Sequence, residues 1–60
     1  MKTSELLRAL KDAGCILERH GGRHDKWLNP KTGKCQWVPR HAAEVHTGLA
    51  KAILKELVGD

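Results

Sequence analysis

The segment HGGRHDKW, residues 20–27, brings together side chains that could carry out acid–base chemistry on a phosphodiester. His24 follows Gly21–Gly22, and two residues without side chains would let a polymer backbone approach closely. A histidine can accept or donate a proton near neutral pH. The basic neighbours in the sequence are Arg19, His20, Arg23 and Lys26.

This set matches what is needed to cut RNA without a metal ion. The ribose 2′-hydroxyl can attack the adjacent phosphate if a base removes its proton and an acid protonates the leaving 5′-oxygen. Cations must also stabilise the charge of the transition state. His24 is the candidate for proton transfer. From spacing alone, a histidine in a turn with no chemical role is the commoner case.

His20 and His41 are rival candidates for acid–base catalysis. His41 follows Pro39 and Arg40, in a connection that should fold back over one edge of a sheet. Two histidines could divide the acid and base roles, but a polar surface residue that at most contacts phosphate is the simpler interpretation of either. His46 is interpreted as a surface residue.

The net charge suits an acidic partner. Eleven Lys and Arg against seven Asp and Glu give +4, which fits a nucleic acid or an acidic protein but is also common for an ordinary solvated surface. Four cations are expected to converge near the double glycine and the exit of the third strand, where they would hold phosphates: Arg19, Arg23, Lys26 and Arg40.

The cysteines and histidines do not favour a metal or cofactor site. Cys15 and Cys35 lack a C-x-x-C pairing, and His20 and His24 straddle two glycines rather than sharing a helical face. Nothing marks either thiol as activated. No apolar signal segment or membrane-length run is present, so the sequence predicts a cytoplasmic protein with reduced thiols, no metal, no cofactor and no membrane partner.

The elements that must position these residues follow from hydrophobic spacing. A first helix is predicted from Ser4 to Ala13, with Thr3 and Ser4 as capping residue types and Gly14 as the stop. Alternating segments then predict three strands, joined by turns at Gly21–Gly22 and NPKTG: residues 15–20, 24–29 and 34–38.

A second helix, capped by Thr47, is predicted from an apolar stripe that runs to Leu57 before Gly59. The order helix, three-stranded antiparallel sheet, helix is an α+β fold, expected to form a single domain over residues 1–60. The helices should cover one face of the sheet. The predicted inward residues are Leu6, Leu10, Leu17, Trp27, Val38, Leu49, Ile53 and Leu57.

The other face of the sheet should be open to solvent. Alternation assigns to it Ile16, His24, Lys26, Leu28 and Trp37. Trp37 has two interpretations of equal weight. It could stack on an RNA base or anchor a protein partner, or it could simply cover the edge of the sheet.

Two long segments resemble the HicA-type toxins, the small messenger-RNA interferases of toxin–antitoxin pairs. SELLRALKDAGCILERHGGRHDKW resembles the opening of that family, whose ordered features fall on the first helix, Gly14, Arg19, Gly22 and His24. VPRHAAEVHTGLAKAILKEL is similar to the family's proline–arginine–histidine stretch and leucine-rich last helix. The resemblance spans nearly the whole chain.

The resemblance implies a fold like a double-stranded-RNA-binding domain and an endoribonuclease that cleaves messenger RNA. It implies His24 as the essential residue and a HicB-type antitoxin as the partner that covers the active site. A non-catalytic RNA-binding module or a protein-interaction module of the same shape is the alternative. Two residues depart from the usual family pattern: Cys15 replaces a large aromatic residue, and Arg23 replaces a small residue before the histidine.

Overall fold

The computed structural model describes residues 1–59, and the last residue of the predicted domain lies outside that range. The elements are helix α1 (Thr3–Asp12), strands β1 (Ile16–His20), β2 (His24–Asn29) and β3 (Lys34–Pro39), and helix α2 (Thr47–Leu57). The predicted α+β order of helix, three antiparallel strands and helix is confirmed. No helix in the described part of the chain is long and apolar enough to cross a membrane.

The sheet has the strand order β1-β2-β3, so β2 is paired on both sides. The register between β1 and β2 shifts between Leu17 and Arg19, where Glu18 forms a bulge. Leu17 lies opposite Trp27, whereas Arg19 lies opposite Lys26. Because of the bulge, Leu17 and Arg19 lie on opposite faces of the sheet, although simple alternation would place them on the same one.

The core lies between the helices and one face of the sheet. Its buried apolar residues are Leu6, Leu10, Cys15, Trp27, Val38, Val45, Ala50, Ile53 and Leu57. The inward prediction was wrong for Leu17, which is 39% exposed because it lies on the edge strand β1, all of whose residues are exposed. It was also wrong for Leu49, which is 46% exposed. Leu49 lies beside the buried line of α2 formed by Ala50, Ile53 and Leu57.

The start of α1 is fixed by contacts with the connection that follows β3. The helix begins one residue earlier than predicted, and Lys2 is its N-cap without a side-chain hydrogen bond, so capping by Thr3 or Ser4 was wrong. Thr3 is buried, and its Oγ1 donates to the carbonyl of Ala42 at 2.6 Å. The backbone N–H of Thr3 donates to Ala43 at 3.0 Å. These bonds hold the residues next to His41.

The cap of α2 is His46 rather than the predicted Thr47. The Nδ1 of His46 accepts a hydrogen bond from the backbone N–H of Gly48 at 3.1 Å, which satisfies one of the free donors of the first turn. His46 is exposed, as predicted, but it has a structural role that the sequence analysis did not assign.

Candidate functional site

His24 is the first residue of β2 and is exposed. Along this strand Asp25, Trp27 and Asn29 are buried, whereas the alternating residues are more accessible. Successive side chains of a strand point to opposite faces, so His24 lies on the solvent-facing side of the sheet with Lys26. That side, which we call the open face, also carries Trp37, because Trp37 is the register partner of Lys26.

A cleft of about 280 Å³ lies beside His24, and its walls come from the loop between β1 and β2 and from one aromatic ring of β3. Its lining residues are Gly21, Gly22, Arg23, His24 and Trp37. We call it the Trp37 cleft. The Trp37 side chain is 44% exposed, so part of the indole is available to a ligand.

The ring of Trp37 lies directly against Gly21. A Cβ atom at residue 21 would lie 2.8 Å from Cζ3 of Trp37 and 2.6 Å from the carbonyl oxygen of His24. Both distances are shorter than a carbon atom tolerates, so the close approach of loop, ring and β2 requires glycine. The N–H of Gly21 also donates to the His24 carbonyl at 2.8 Å, which closes the loop. A Cβ at Gly22 would meet nothing within 4 Å.

A second cleft, of about 310 Å³, adjoins the first. We call it the His41 cleft, and it is lined by Arg23, His24, Pro39, His41 and Ala42. Arg23 and His24 belong to both clefts. The structure therefore brings two of the three predicted acid–base histidines, His24 and His41, to one cavity.

The predicted phosphate-binding cations have different surroundings. Arg23 is exposed and lines both clefts, and Arg19 is exposed opposite Lys26 in the register. The Nζ of Lys26 lies 3.5 Å from Oε2 of Glu18, and both side chains remain partly exposed. Such a pair contributes little to stability, so the ammonium of Lys26 can exchange its partner at low cost.

Arg40 differs from the other cations because its guanidinium is bonded within the protein. Nη1 donates to Oδ1 of Asp25 at 2.9 Å, and Nη2 donates to the carbonyl of Gly22 at 2.7 Å. Its backbone N–H donates to the carbonyl of Arg23 at 3.1 Å. Arg40 therefore contacts both the loop before β2 and Asp25, the second residue of β2.

Asp25 joins the same group of contacts from the buried side of the sheet. Nδ1 of His20 lies 2.9 Å from Oδ1 of Asp25. An ionised carboxylate can only accept hydrogen bonds, so we assign the proton to Nδ1. Nη1 of Arg40 lies 3.1 Å from the same nitrogen, and with this tautomer it donates to Asp25 rather than to His20. Burial raises the pKa of Asp25, but the hydrogen bond from His20 and the charge of Arg40 outweigh it, and the net pKa is lower than the ordinary value for aspartate. His20 is thus engaged with Asp25 and is absent from both clefts, as their linings above show.

Both cysteines are free thiols. Cys15 is buried in the core, and burial raises the pKa of its thiol. Cys35 lies on the open face, with Sγ 3.7 Å from Oε2 of Glu18. Within residues 1–59, no three His, Cys, Asp or Glu side chains cluster as a metal site would require.

Sequence reasoning missed the role of Asp25. Alternation placed it on the same face as Trp27, which is the core face, and a carboxylate there needs a partner. That signal was present in the sequence, but the partners are distant along the chain: His20 on β1 and Arg40 after β3. Only the register of the three strands brings them together.

A family model described as the HicA toxin of bacterial toxin-antitoxin matches residues 3–57. The chain belongs to the HicA toxin family. The match covers both helices and all three strands, so the predicted family is confirmed along the whole fold. Membership makes the chain a toxin of a toxin–antitoxin pair, for which the family implies a HicB antitoxin as partner. No curated protein and no solved structure matches the chain significantly.

Proposed function

We propose that this HicA toxin is an endoribonuclease that cleaves messenger RNA, with His24 as its catalytic residue. The observation that carries the proposal is the position of His24 and Arg23 between two clefts. An RNA strand cut in its interior needs room for a nucleotide on each side of the scissile phosphate. The two clefts would provide that room, and the exposed Arg23 and His24 between them would meet the phosphate.

The proposed reaction is an attack of the ribose 2′-hydroxyl on its own 3′-phosphate. One group removes the proton from the 2′-oxygen, and a bond forms between that oxygen and phosphorus. The bond from phosphorus to the 5′-oxygen of the next nucleotide breaks, and a second group donates a proton to that oxygen. The products are a 2′,3′-cyclic phosphate and a free 5′-hydroxyl. Arg23 would stabilise the negative charge on the phosphorane.

His24 is proposed for one of these two proton transfers and His41 for the other. They line one cavity, whereas the Nδ1 of His20 is occupied by Asp25. Imidazole is suited to either role, because its ordinary pKa lies near neutral pH.

RNA binding is proposed to use the open face. Lys26 and Arg19 lie opposite each other in neighbouring strands next to His24, where their charges can hold flanking phosphates. Trp37 presents a half-exposed indole in the cleft, where a base can stack against it. The HicB antitoxin would inhibit the toxin if it covered this same surface.

The test is cleavage of a messenger RNA by the purified toxin in the presence of a chelator. His24→Ala should lower the rate by roughly 10²- to 10⁴-fold, the usual contribution of a proton-transfer group. The fold should persist, because His24 is exposed. His46→Asn is the matched control, since it also removes a histidine but keeps a side chain that can cap α2.

The control should cleave like the wild type. Equal rates for wild type and His24→Ala, after contaminating nuclease is excluded, would refute the catalytic role. RNA binding without cleavage by the wild type would support the non-catalytic alternative instead.

A further inference from the structure

We propose that Arg40 and Asp25 are positioning residues that hold the loop from His20 to His24 in the conformation needed for cleavage. The inference rests on the proposed function, because it assigns a purpose to the loop that carries His24. It differs from the sequence-based expectation for Arg40, which was direct contact with an RNA phosphate. We call the contacts of Arg40 with Asp25 and the loop the Arg40 clamp.

The first argument concerns the groups that accept hydrogen bonds from Arg40. Its two terminal nitrogens reach Oδ1 of Asp25 and the carbonyl of Gly22, at 2.9 and 2.7 Å. Its backbone N–H reaches the carbonyl of Arg23 at 3.1 Å. Gly22 and Arg23 are the two residues directly before His24, and Asp25 directly follows it. Arg40 thus bonds to the backbone before His24, at Gly22 and Arg23, and to the side chain of Asp25 directly after it.

The second argument concerns the flexibility of the loop. Gly21 and Gly22 lose more conformational freedom on ordering than any other residue type, so this segment does not define its own shape. Within the loop, the bond from Gly21 N–H to the His24 carbonyl closes one turn. The Gly22 carbonyl receives its bond from Arg40, outside the loop. The guanidinium therefore restricts the conformation of a loop that its two glycines would leave flexible.

The third argument is electrostatic. The Asp25 side chain is only 12% exposed and carries its negative charge against Arg40. The charge of Arg40 is therefore balanced within the protein, unlike that of the exposed Arg23. A phosphate bound by Arg40 would have to compete with Asp25 and Gly22 for the same N–H groups. Arg40 is thus better suited to shaping the loop than to holding RNA.

The deciding variant is Arg40→Lys, because it keeps the positive charge but replaces the two-pronged donor with a single ammonium group. A lysine cannot bridge Asp25 and the Gly22 carbonyl with the same geometry. The clamp predicts that kcat falls by roughly ten- to a hundredfold, the scale of a small misplacement of a catalytic group, while the Kd for RNA is unchanged. A phosphate-binding role predicts nearly normal kcat and Kd.

The salt dependence of RNA binding provides an independent measurement. The clamp predicts that Arg40→Ala leaves the slope of log K against log salt unchanged. Lys26→Ala, the comparison for a proposed phosphate ligand, should reduce that slope by about 0.7–0.9. The clamp would be overturned if Arg40→Ala reduced the salt slope as much as Lys26→Ala does and Arg40→Lys kept a normal kcat.

Amide hydrogen exchange reports on the loop without requiring RNA. In Arg40→Lys the N–H of Gly21 should exchange faster than in the wild type, at an unchanged midpoint of global unfolding in urea. Asp25→Asn should show the same acceleration. Asp12→Asn makes the same chemical change at an exposed site at the end of α1 and should leave the loop unaffected.

These measurements separate the two proposals. If wild type cleaves RNA through His24 but Arg40→Lys has normal kcat, the clamp fails and the proposed function stands. If wild type does not cleave RNA, the proposed function fails. Amide hydrogen exchange at Gly21 is then the measurement that tests the clamp. Faster exchange in Arg40→Lys supports it, and unchanged exchange overturns it.

Discussion

Replacement of Trp27 by alanine should remove a large part of the free energy of unfolding, because this residue fills a large part of a small core. Trp27 is 5% exposed and lies opposite Leu17 and Gln36 at the centre of the sheet. Emptying such a site costs about 3–5 kcal/mol. The Nε1 donor of Trp27 is buried without a partner among the described residues, and its removal recovers part of that cost. We therefore expect a loss near the lower limit, about 3 kcal/mol.

That loss is large compared with the total free energy of unfolding expected for a protein of this size. At about 0.05–0.15 kcal/mol per residue, a chain of this length has roughly 3–9 kcal/mol of unfolding free energy. Urea unfolding followed by far-ultraviolet circular dichroism measures the change. With an m value of about 1 kcal/mol/M, the midpoint should fall by about 3 M. Trp37→Ala is the matched control. Trp37 is 44% exposed, so its replacement should cost only about 1 kcal/mol and should weaken RNA binding instead.

Fluorescence of the two single-tryptophan variants tests the register behind this prediction. In Trp37→Phe, the remaining Trp27 should be shielded from acrylamide. In Trp27→Phe, the remaining Trp37 should be quenched readily. The opposite pattern would mean that the register of β2 and β3 is shifted by one residue, and His24 would then point into the core. The catalytic proposal would fail with it.

Three further predictions concern the loop, the open face and acid stability. Gly21→Ala should abolish most cleavage, because its Cβ would clash with Trp37 and the His24 carbonyl. Gly22→Ala should cleave nearly normally. Equal rates of the two variants in an RNA digestion assay would contradict the loop geometry. Lys26→Ala should weaken RNA binding roughly twofold to tenfold at moderate salt, and titrations at several salt concentrations that show no change would make Lys26 an ordinary surface charge. The pKa of Asp25 is lower in the folded protein than its ordinary value, so its stabilising contribution is complete above the unfolded pKa of about 4 and is lost as the pH falls through the folded value. Urea midpoints measured between about pH 6 and pH 2 should therefore fall less steeply for Asp25→Asn than for wild type.

The fold was predictable because its signals are local. Helical spacing, strand alternation and glycine or proline turns place all five elements to within a residue or so of their observed bounds. Leu17 could not be assigned correctly in the same way. It has the parity of an inward residue, but it lies on the edge strand, where the helices do not cover it. Coverage depends on how the helices cross the sheet, which alternation does not encode.

Capping was mispredicted for a related reason. Thr3 has a side chain that commonly caps helices, yet its hydroxyl is used for a contact with Ala42, far away in the sequence. His46 is a less common capping residue, and it caps α2 because the preceding connection places its ring next to the N–H of Gly48. Tertiary contacts thus override the local preference at both helices.

The candidate site was predictable in part. The double glycine and His24 identify the loop from residue types alone, and alternation places Lys26 and Trp37 on the same face as His24. The bonds from Arg40 to Asp25 and Gly22 were not predictable, because they join residues 15 and 18 positions apart. A charged residue in a sequence gives no sign of whether its charge is free or already paired.

The most direct test of the proposed chemistry is the end group of the RNA fragments produced by the purified toxin. Attack by the 2′-hydroxyl at His24 predicts a 2′,3′-cyclic phosphate on the upstream fragment and a 5′-hydroxyl on the downstream fragment. An RNA with a 2′-deoxy sugar at the cleaved position should resist cutting there. A 3′-hydroxyl with a 5′-phosphate, or normal cutting of the deoxy-substituted RNA, would show that water attacks the phosphate and would contradict the account.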